Sequence, residues 1–562
     1  MKFKALLPAM AFVAATAAAQ DPAPVAAPSF SPDAFRGHVA FLADDMLEGR
    51  ETGTRGYDIA ARYVATQFET LGLQPGAAGQ WFQPVRLAQF AISGTPRLTV
   101  GGRTYRHGRD FLLRASPDET PVAVEAQLVF AGYGLDLPAR GYDDYEGLDV
   151  RGKIVVVLNG HPLGIASDVG AHLNSEKARM AADRGAVGML VLRNNGEGES
   201  LPWSRLVRYS NRPGTTWVDR EGRPYAASGL RFSATVDRTI ATMLFSGARR
   251  TLDAVLLEAS RHGARPDGFA LAQTVRLERD GATITPLTSP NVVGILPGTD
   301  PALAGEYVLL MAHLDGLGVR APEAGDEPNE DRIRNGAMDN ASGVATLIEV
   351  ARAMSLPGNR PRRPVLFAAV TAEEVGLLGA AYLAHNPLGE GRVVSVVNLD
   401  MPVLTYDFED VTAFGAEHST LGPIVARAAA RMHVRLSPDP LPDEGLFTRS
   451  DHYPFVRRGV PSVFLMTGFA GEGRQRFTSF LQDRYHSPRD DLSLPFNWHA
   501  GARFAQLNYL IAREIADEAQ PPLWYADSFF GAAVGAGQRM AERRRGAGGA
   551  DASQGQAAPR RR

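Results

Sequence analysis

The sequence predicts an α/β protein: a doubly wound, mostly parallel sheet flanked by helices, interrupted by a smaller α/β unit. Three observations predict it. From Asn291 onward the pattern strand, loop, helix repeats. The strands, at 291–295, 307–312, 365–370, 393–399 and 462–466, are short continuous apolar runs, which suit a sheet covered on both faces. Strand–helix alternation with right-handed crossovers then gives a doubly wound sheet. The third observation is a change of character in the middle of the chain. There, 128–133, 154–158 and 187–192 read as strands, and 175–184 as a helix stopped by Gly185.

Taken in order, the chain begins with Lys2 and Lys4, an apolar run at 6–15 and small residues at 17–19. This reads as a signal peptide over 1–19, too short to span a bilayer. A Pro/Ala-rich leader follows at 21–29. The first part of the main domain is placed at 30–120. Within it, Val39, Leu42, Met46 and Leu47 mark a helical pattern, 48–56 is a loop, and 57–71 is an amphipathic helix closed by Gly72 and Pro75. The small α/β unit is placed at 121–285, and its sequence carries no metal-ligand cluster. The stretch 267–290, punctuated by Gly, Thr and Pro, returns the chain to the main domain at 286–530. Helices are expected near Ser342, Leu377, Leu421 and Trp498. The tail at 535–562 is rich in Gly, Ala and Arg and is expected to be disordered.

Composition narrows the function classes. At 562 residues the chain exceeds one core, and 44% hydrophobic with 22% charged residues is ordinary for a globular protein. A net charge of -3 gives no basic field for nucleic acid. No later segment is long and apolar enough to span a membrane. There are no cysteines, so neither disulfides nor a lipid on an N-terminal Cys is available. A periplasmic or secreted protein is the expectation.

The chemistry lies at the strand ends. In open α/β sheets, ligands bind outside the carboxyl ends of the strands. His313 ends one strand, Glu373 and Glu374 lie just past another, and Asp400 ends a third. Asp339 sits in a loop that opens a helix, and His486 follows later. Zinc takes imidazole nitrogen and carboxylate oxygen. Two histidines and three carboxylates hold two ions if one carboxylate bridges, with the metals roughly 3.5–4 Å apart. Glu373 is then free to act as a base. Asp315, two residues after His313, can accept a hydrogen bond from the imidazole or from a neighbouring backbone group. Tyr485 can donate its phenol to a developing oxyanion.

The ordered set His313-Leu-Asp315, Asn335-Gly-Ala-Met-Asp339-Asn-Ala-Ser-Gly343, Thr371-Ala-Glu373-Glu374-Val-Gly376, Asn398-Leu-Asp400-Met and Tyr485-His486-Ser-Pro-Arg-Asp490 resembles the co-catalytic dizinc aminopeptidase family. That family also includes glutamate carboxypeptidase, glutaminyl cyclase and the metal-free transferrin receptor. The region 33–75, with its stretch from Leu47 to Thr54, is similar to the family's N-terminal lead-in. The resemblance implies the zinc exopeptidase fold, with His313 and Asp400 on one zinc, Glu374 and His486 on the other, and Asp339 between them. It implies Glu373 as general base, Asp315 as orienting residue and Tyr485 polarising the substrate carbonyl, with Co2+ or Mn2+ as alternative metals. Met338 departs from the family pattern without removing a ligand. The segment 449–455 resembles one that lies near the active site, with a supporting role and no ligand role for His452. Residues 129–134, 142–145, 152–157 and 185–188 resemble the protease-associated domain, a lid-like insert. The implied function is an exported aminopeptidase acting on peptides. A carboxypeptidase, with Arg449, Arg474, Arg476 or Arg489 holding a C-terminal carboxylate, and a receptor-like binding protein are the alternatives.

Overall fold

The computed structural model describes residues 28–117, 120–193, 202–210, 212–225, 229–323, 325–534 and 537–543. The expected signal peptide and most of the expected tail lie outside them. Two large sheets organise the described chain. The ten-stranded sheet runs, edge to edge, Gly214–Trp217, Phe82–Ile92, Ala282–Leu296, Val365–Val370, Glu306–His313, Arg392–Leu399, Ser462–Thr467, Asp410–Phe414 and Arg435–Ser437, with Gln74–Pro75 paired beside Ala282–Leu296. Its centre is parallel. Glu306–His313 pairs parallel with Val365–Val370 and Arg392–Leu399, and the latter pairs parallel with Ser462–Thr467. The strands beyond on either side join antiparallel, so the whole sheet is mixed and parallel at its heart.

The continuous apolar runs are covered on both faces. Along Glu306–His313, Val308, Leu310 and Ala312 pack into one core and Leu309 and Met311 into another. Phe367 and Ala369 join the first core, and Leu366, Ala368 and Val370 the second. The first face is roofed by Pro32–Leu42, Ser342–Ser355 and Trp498–Asp517, and the second by Leu378–His385 and Tyr453–Val456. Helix Ser342–Ser355 is buried at every position except Arg352 and Ser355. Each of its Val, Leu and Ile side chains contributes roughly 1.5–3 kcal/mol by leaving water.

The eight-stranded sheet runs Arg103–Arg106, Arg97–Val100, Phe269–Arg279, Val122–Phe130, Ile154–Leu158, Gly188–Leu192, Ser233–Val236 and Phe111–Leu113. It recruits strands from 97–113, ahead of the expected start at 121. The stretch 267–290, expected as a punctuated return, is strand for most of its length. Phe269, Leu271, Val275 and Leu277 alternate inward on Phe269–Arg279, and the chain then enters Ala282–Leu296 of the other sheet. Burial of every second residue sustains these strands despite their Thr and Pro content. Helix Ser167–Asp183 starts eight residues before its expected position.

The smaller unit docks on the larger at two places. Its Gly214–Trp217 strand pairs with the edge strand Phe82–Ile92, and Trp217 packs against Tyr382 and His385 of the larger unit. Its helix Ser167–Asp183 makes polar contacts that include Asp168 with His418 at 2.6 Å, His172 with the Tyr453 hydroxyl at 2.7 Å, and Glu176 with Arg457 at 2.7 Å. Ser528 lies 3.2 Å from the other nitrogen of His418. The described tail residues are ordered against this region. Ala541 exchanges backbone hydrogen bonds with Trp524 and Ala526, and Arg543 pairs with Asp527 at 2.7 Å. This differs from the expectation of disorder from 535.

Burial alone would depress His418, but the hydrogen bond to Asp168 and the nearby Glu417 outweigh it and raise its pKa, with Arg543 opposing. A raised folded pKa stabilises fully below the ordinary value of 6.5 and is lost as pH climbs through the folded value. His418→Gln should therefore cost about 1–3 kcal/mol near pH 6. Thermal melts of both proteins should converge as pH rises above 6.5; a difference that does not change with pH would contradict the pairing.

Candidate metal centre

The central parallel strands end at one rim, and there the candidate residues meet. His313 is the last residue of Glu306–His313 and is buried. Its Nδ1 faces the Asp315 carbonyl at 3.1 Å, and since a carbonyl only accepts, Nδ1 carries the proton. That turns Nε2 towards Asp339 Oδ1, 3.1 Å away, and Asp400 Oδ1, 3.3 Å away. On the other side, His486 Nε2 lies 3.3 Å from Asp339 Oδ2 and 3.3 Å from Glu374 Oε2. Two triads result, His313–Asp339–Asp400 and Asp339–Glu374–His486, with Asp339 in both.

The donor set fits two zinc ions. Tetrahedral bonds of about 2.0–2.2 Å put neighbouring ligand atoms roughly 3.3–3.6 Å apart, close to the separations seen here. The charge balance also fits. Burial, reinforced by Asp339, raises Glu374 well above the usual carboxylate range, and burial, reinforced by Asp400 and Glu374, does the same to Glu373. Burial opposes charge on Asp339 too, but the two histidines hold its pKa below the usual range. Asp400 and Glu373 raise His313 against its own burial. A cluster so rich in carboxylates lacks positive charge, which divalent cations would supply.

Local structure fixes each ligand. Asp339 is held through its backbone: Asp490 accepts from the Met338 N–H at 2.8 Å and the Asp339 N–H at 3.0 Å. The Asp339–Asn340 peptide is cis. Gly336 sits at φ +60°, and a Cβ there would meet the Asp339 carbonyl at 2.3 Å. Gly343 lets the following helix approach Asn340 and Leu399, whose oxygens a Cβ would meet at 2.1 and 2.4 Å. Met338, the departure noted above, is fully buried and its sulfur accepts from the Leu404 N–H, so it is part of the packing under the loop. Asp400 accepts from the Ser450 hydroxyl at 2.6 Å, and Asn398 in turn donates to that oxygen at 2.7 Å.

Asp315 follows the second of its two expected options. Its carboxylate stands 3.9 Å from His313 Nδ1 and instead accepts from the Glu373 N–H at 3.1 Å, the Glu374 N–H at 3.3 Å and the Thr52 hydroxyl at 3.1 Å. It thereby fixes the turn that points Glu374 into a triad and leaves Glu373 in neither. Tyr485 stacks on the His486 ring at 3.7 Å, and burial, with Asp339 and Glu374 near, raises its phenol pKa far above the ordinary value. It keeps its proton and remains a donor.

Three supports were not assigned from sequence. Arg50, in the lead-in, is fully buried and donates to the carbonyls of Leu42, Leu314, Asn335 and Gly336. Burial lowers it to about 10, against the pull of Asp490, Asp315 and Asp339. Asp490 belongs to a motif quoted above without a role. Asp451, beside Ser450, is fully buried near His313 and Asp400, and burial raises its pKa well above the usual range. His452 is buried between Phe447 and Phe464 with its pKa lowered to about 3 by burial, and it joins neither triad. Of the four arginines offered for carboxylate recognition, Arg449 and Arg476 pair with Glu444 and Glu472, Arg474 lies over Phe469, and Arg489 is exposed. The groove of about 780 Å³ lined by Phe41, Tyr63 and Phe82 shares no residue with the triads.

Residues 291–511 match the family model for peptidase family M28, and residues 124–218 match that for the PA domain. Leupeptin-inactivating enzyme 1 of Streptomyces exfoliatus is 28% identical over 190 residues, 32% of this chain and 36% of that protein. Aminopeptidase Y of Saccharomyces cerevisiae is 29% identical over 205 residues, 35% of this chain and 34% of that protein. The chain thus spans about a third of the length of these curated relatives. The solved aminopeptidase from Aneurinibacillus sp. strain AM-1 aligns over 88% of this chain and 95% of its own, with a TM-score of 0.49 and 20% identity.

If Ser450 and Asp490 orient Asp400 and Asp339, then Ser450→Ala and Asp490→Asn should each weaken zinc binding by roughly 10–100-fold in competition with a chelator. Affinities equal to the parent protein would contradict these roles.

Proposed function

Residues 291–511 match peptidase family M28 and residues 124–218 the PA domain, and from that premise we propose that the protein is an exported dizinc aminopeptidase. It removes the N-terminal residue of peptides. The observation that carries this reading is the single carboxylate of Asp339, spanning two His/carboxylate triads. His313 and Asp400 would hold one ion, Glu374 and His486 the other, and Asp339 would contribute to both. Zinc is the expected metal, with Co2+ or Mn2+ able to occupy the same nitrogen and oxygen ligands. When bound, the two ions supply Lewis acidity to the scissile carbonyl and to the attacking water.

The chain's own groups do the rest. Glu373, outside both triads and beside His313, takes a proton from the water as its oxygen bonds to the carbonyl carbon. The same carboxyl returns that proton to the leaving amine as the C–N bond breaks. Asp315 keeps Glu373 in place through its backbone N–H. The Tyr485 phenol donates to the carbonyl oxygen as negative charge develops on it. His486 is held against Tyr485 by stacking, so the two move as one unit.

The export part of the proposal rests on the charged and apolar pattern of residues 1–19. No helix among the described residues is long and apolar enough to cross a membrane. A carboxypeptidase is the second reading, separable by peptides blocked at one end or the other. A receptor-like binding protein is disfavoured because every ligand and base position is filled.

Glu373→Gln should keep two zinc ions per chain by elemental analysis. Its kcat on N-terminally free aminoacyl amides should fall by about 100- to 10,000-fold. Activity within tenfold of the parent would remove Glu373 as the base, and loss of zinc would make it a ligand instead.

A further inference from the structure

The segment between His313 and Asp339 forms a hairpin. Val319 bridges Ile333, Arg320 N–H donates to the Arg332 carbonyl at 2.8 Å, and Arg334 N–H donates to the Gly318 carbonyl at 3.0 Å. The sequence makes this an acidic overhang, with Glu323, Asp326, Glu327, Glu330 and Asp331. Part of that charge is offset within the hairpin. Arg320 pairs with Asp326 and with Glu330, each at 3.0 Å, and reaches Glu323 at 3.9 Å.

The stem is different. Gly318 N–H donates to the Gly49 carbonyl at 3.2 Å, and Gly316 bridges Glu51. Glu51 precedes Thr52, whose hydroxyl holds the same Asp315 carboxylate that fixes Glu373 and Glu374. Arg334 is bonded through its backbone to this stem, and Glu374 and Glu51 are among the charges that act on it. It is half-buried, and its guanidinium makes a 3.3 Å hydrogen bond to the Leu317 carbonyl. Among the described residues no carboxylate forms an ion pair with it. Of the other arginines nearby, Arg320, Arg449 and Arg476 are each paired with a carboxylate. Burial, with Arg212 nearby, lowers the Arg334 pKa, while Glu374 and Glu51 act at longer range in the other direction.

A partly desolvated guanidinium with only a carbonyl partner retains most of its five donors for an anion. Two ions at the triads would neutralise Glu374, one of the two carboxylates that act on Arg334. A ligand carboxylate meeting that fork gains a charge-assisted, two-pronged contact.

We propose that Arg334 is a specificity residue that receives a carboxylate of the substrate, so that peptides carrying a carboxylate next to the scissile bond are preferred. This rests on the peptidase reading above. The carboxylate comes either from an Asp or Glu side chain at the cleaved residue or from the free C-terminus of a dipeptide.

The test uses the full, zinc-loaded chain and two matched pairs: glutamyl against glutaminyl amide, and alanyl-alanine against its C-terminal amide. For at least one pair the parent should favour the carboxylate by roughly 10- to 100-fold in kcat/KM, chiefly through KM. Arg334→Gln should collapse that ratio towards one, and Arg334→Lys should keep part of it. The pair that responds identifies the source of the carboxylate. A parent ratio near one, a ratio unchanged in Arg334→Gln, or equal slowing of charged and neutral substrates in both variants overturns the inference alone. No hydrolysis of any substrate by the parent overturns the peptidase reading and this inference with it.

Discussion

Everything at this centre depends on placing one carboxylate, that of Asp339, between two imidazoles. Its oxygens stand 3.1 and 3.3 Å from His313 and His486, so a shift of either loop breaks both triads at once. The fold meets this demand from several directions. Asp490 fixes the backbone N–H groups of Met338 and Asp339, while Arg50 fixes the carbonyls of Asn335 and Gly336. The parallel strands then deliver His313, Glu374 and Asp400 to the same rim. Without counter-cations this arrangement is electrostatically unfavourable, and the raised pKa values of Glu373 and Glu374 express that cost.

The support reaches well beyond the ligands. Asp315 holds the Glu373–Glu374 turn and is itself bonded by Thr52, so the N-terminal lead-in and the sheet rim share one network. Ser450 braces Asp400, and three residues later Tyr453 bonds His172 of the smaller unit. The PA-domain helix is therefore only a few residues removed from a metal-site contact.

Much of this was legible in the sequence, for definable reasons. The five central strands are apolar throughout because both faces are covered, and their ends agree with the sequence reading to within a residue or two, apart from the longer N-terminal course of Ala282–Leu296. His313, Glu374 and Asp400 stood out because each falls at or just past the end of such a run. Arg50 did not, since a lone arginine in a loop reads as solvated and only the folded chain brings Leu314 and Asn335 to it. Ser450 and Asp490 are ordinary polar residues whose roles arise from contacts across 50 and 151–152 residues of sequence. The strands at 97–113 and 269–279 were missed because Arg, Thr and Gly interrupt them, and their stability comes from cross-strand partners far along the chain. Residues 537–543 looked like part of a structureless tail, yet their order comes from Trp524, Ala526 and Asp527.

The account's central claim is that Asp339 bridges two ions, and crystallographic anomalous scattering at the zinc edge tests it most directly. The account predicts two peaks roughly 3.5–4 Å apart, one on each side of the Asp339 carboxylate. A single peak, or two peaks that do not share Asp339, would contradict it.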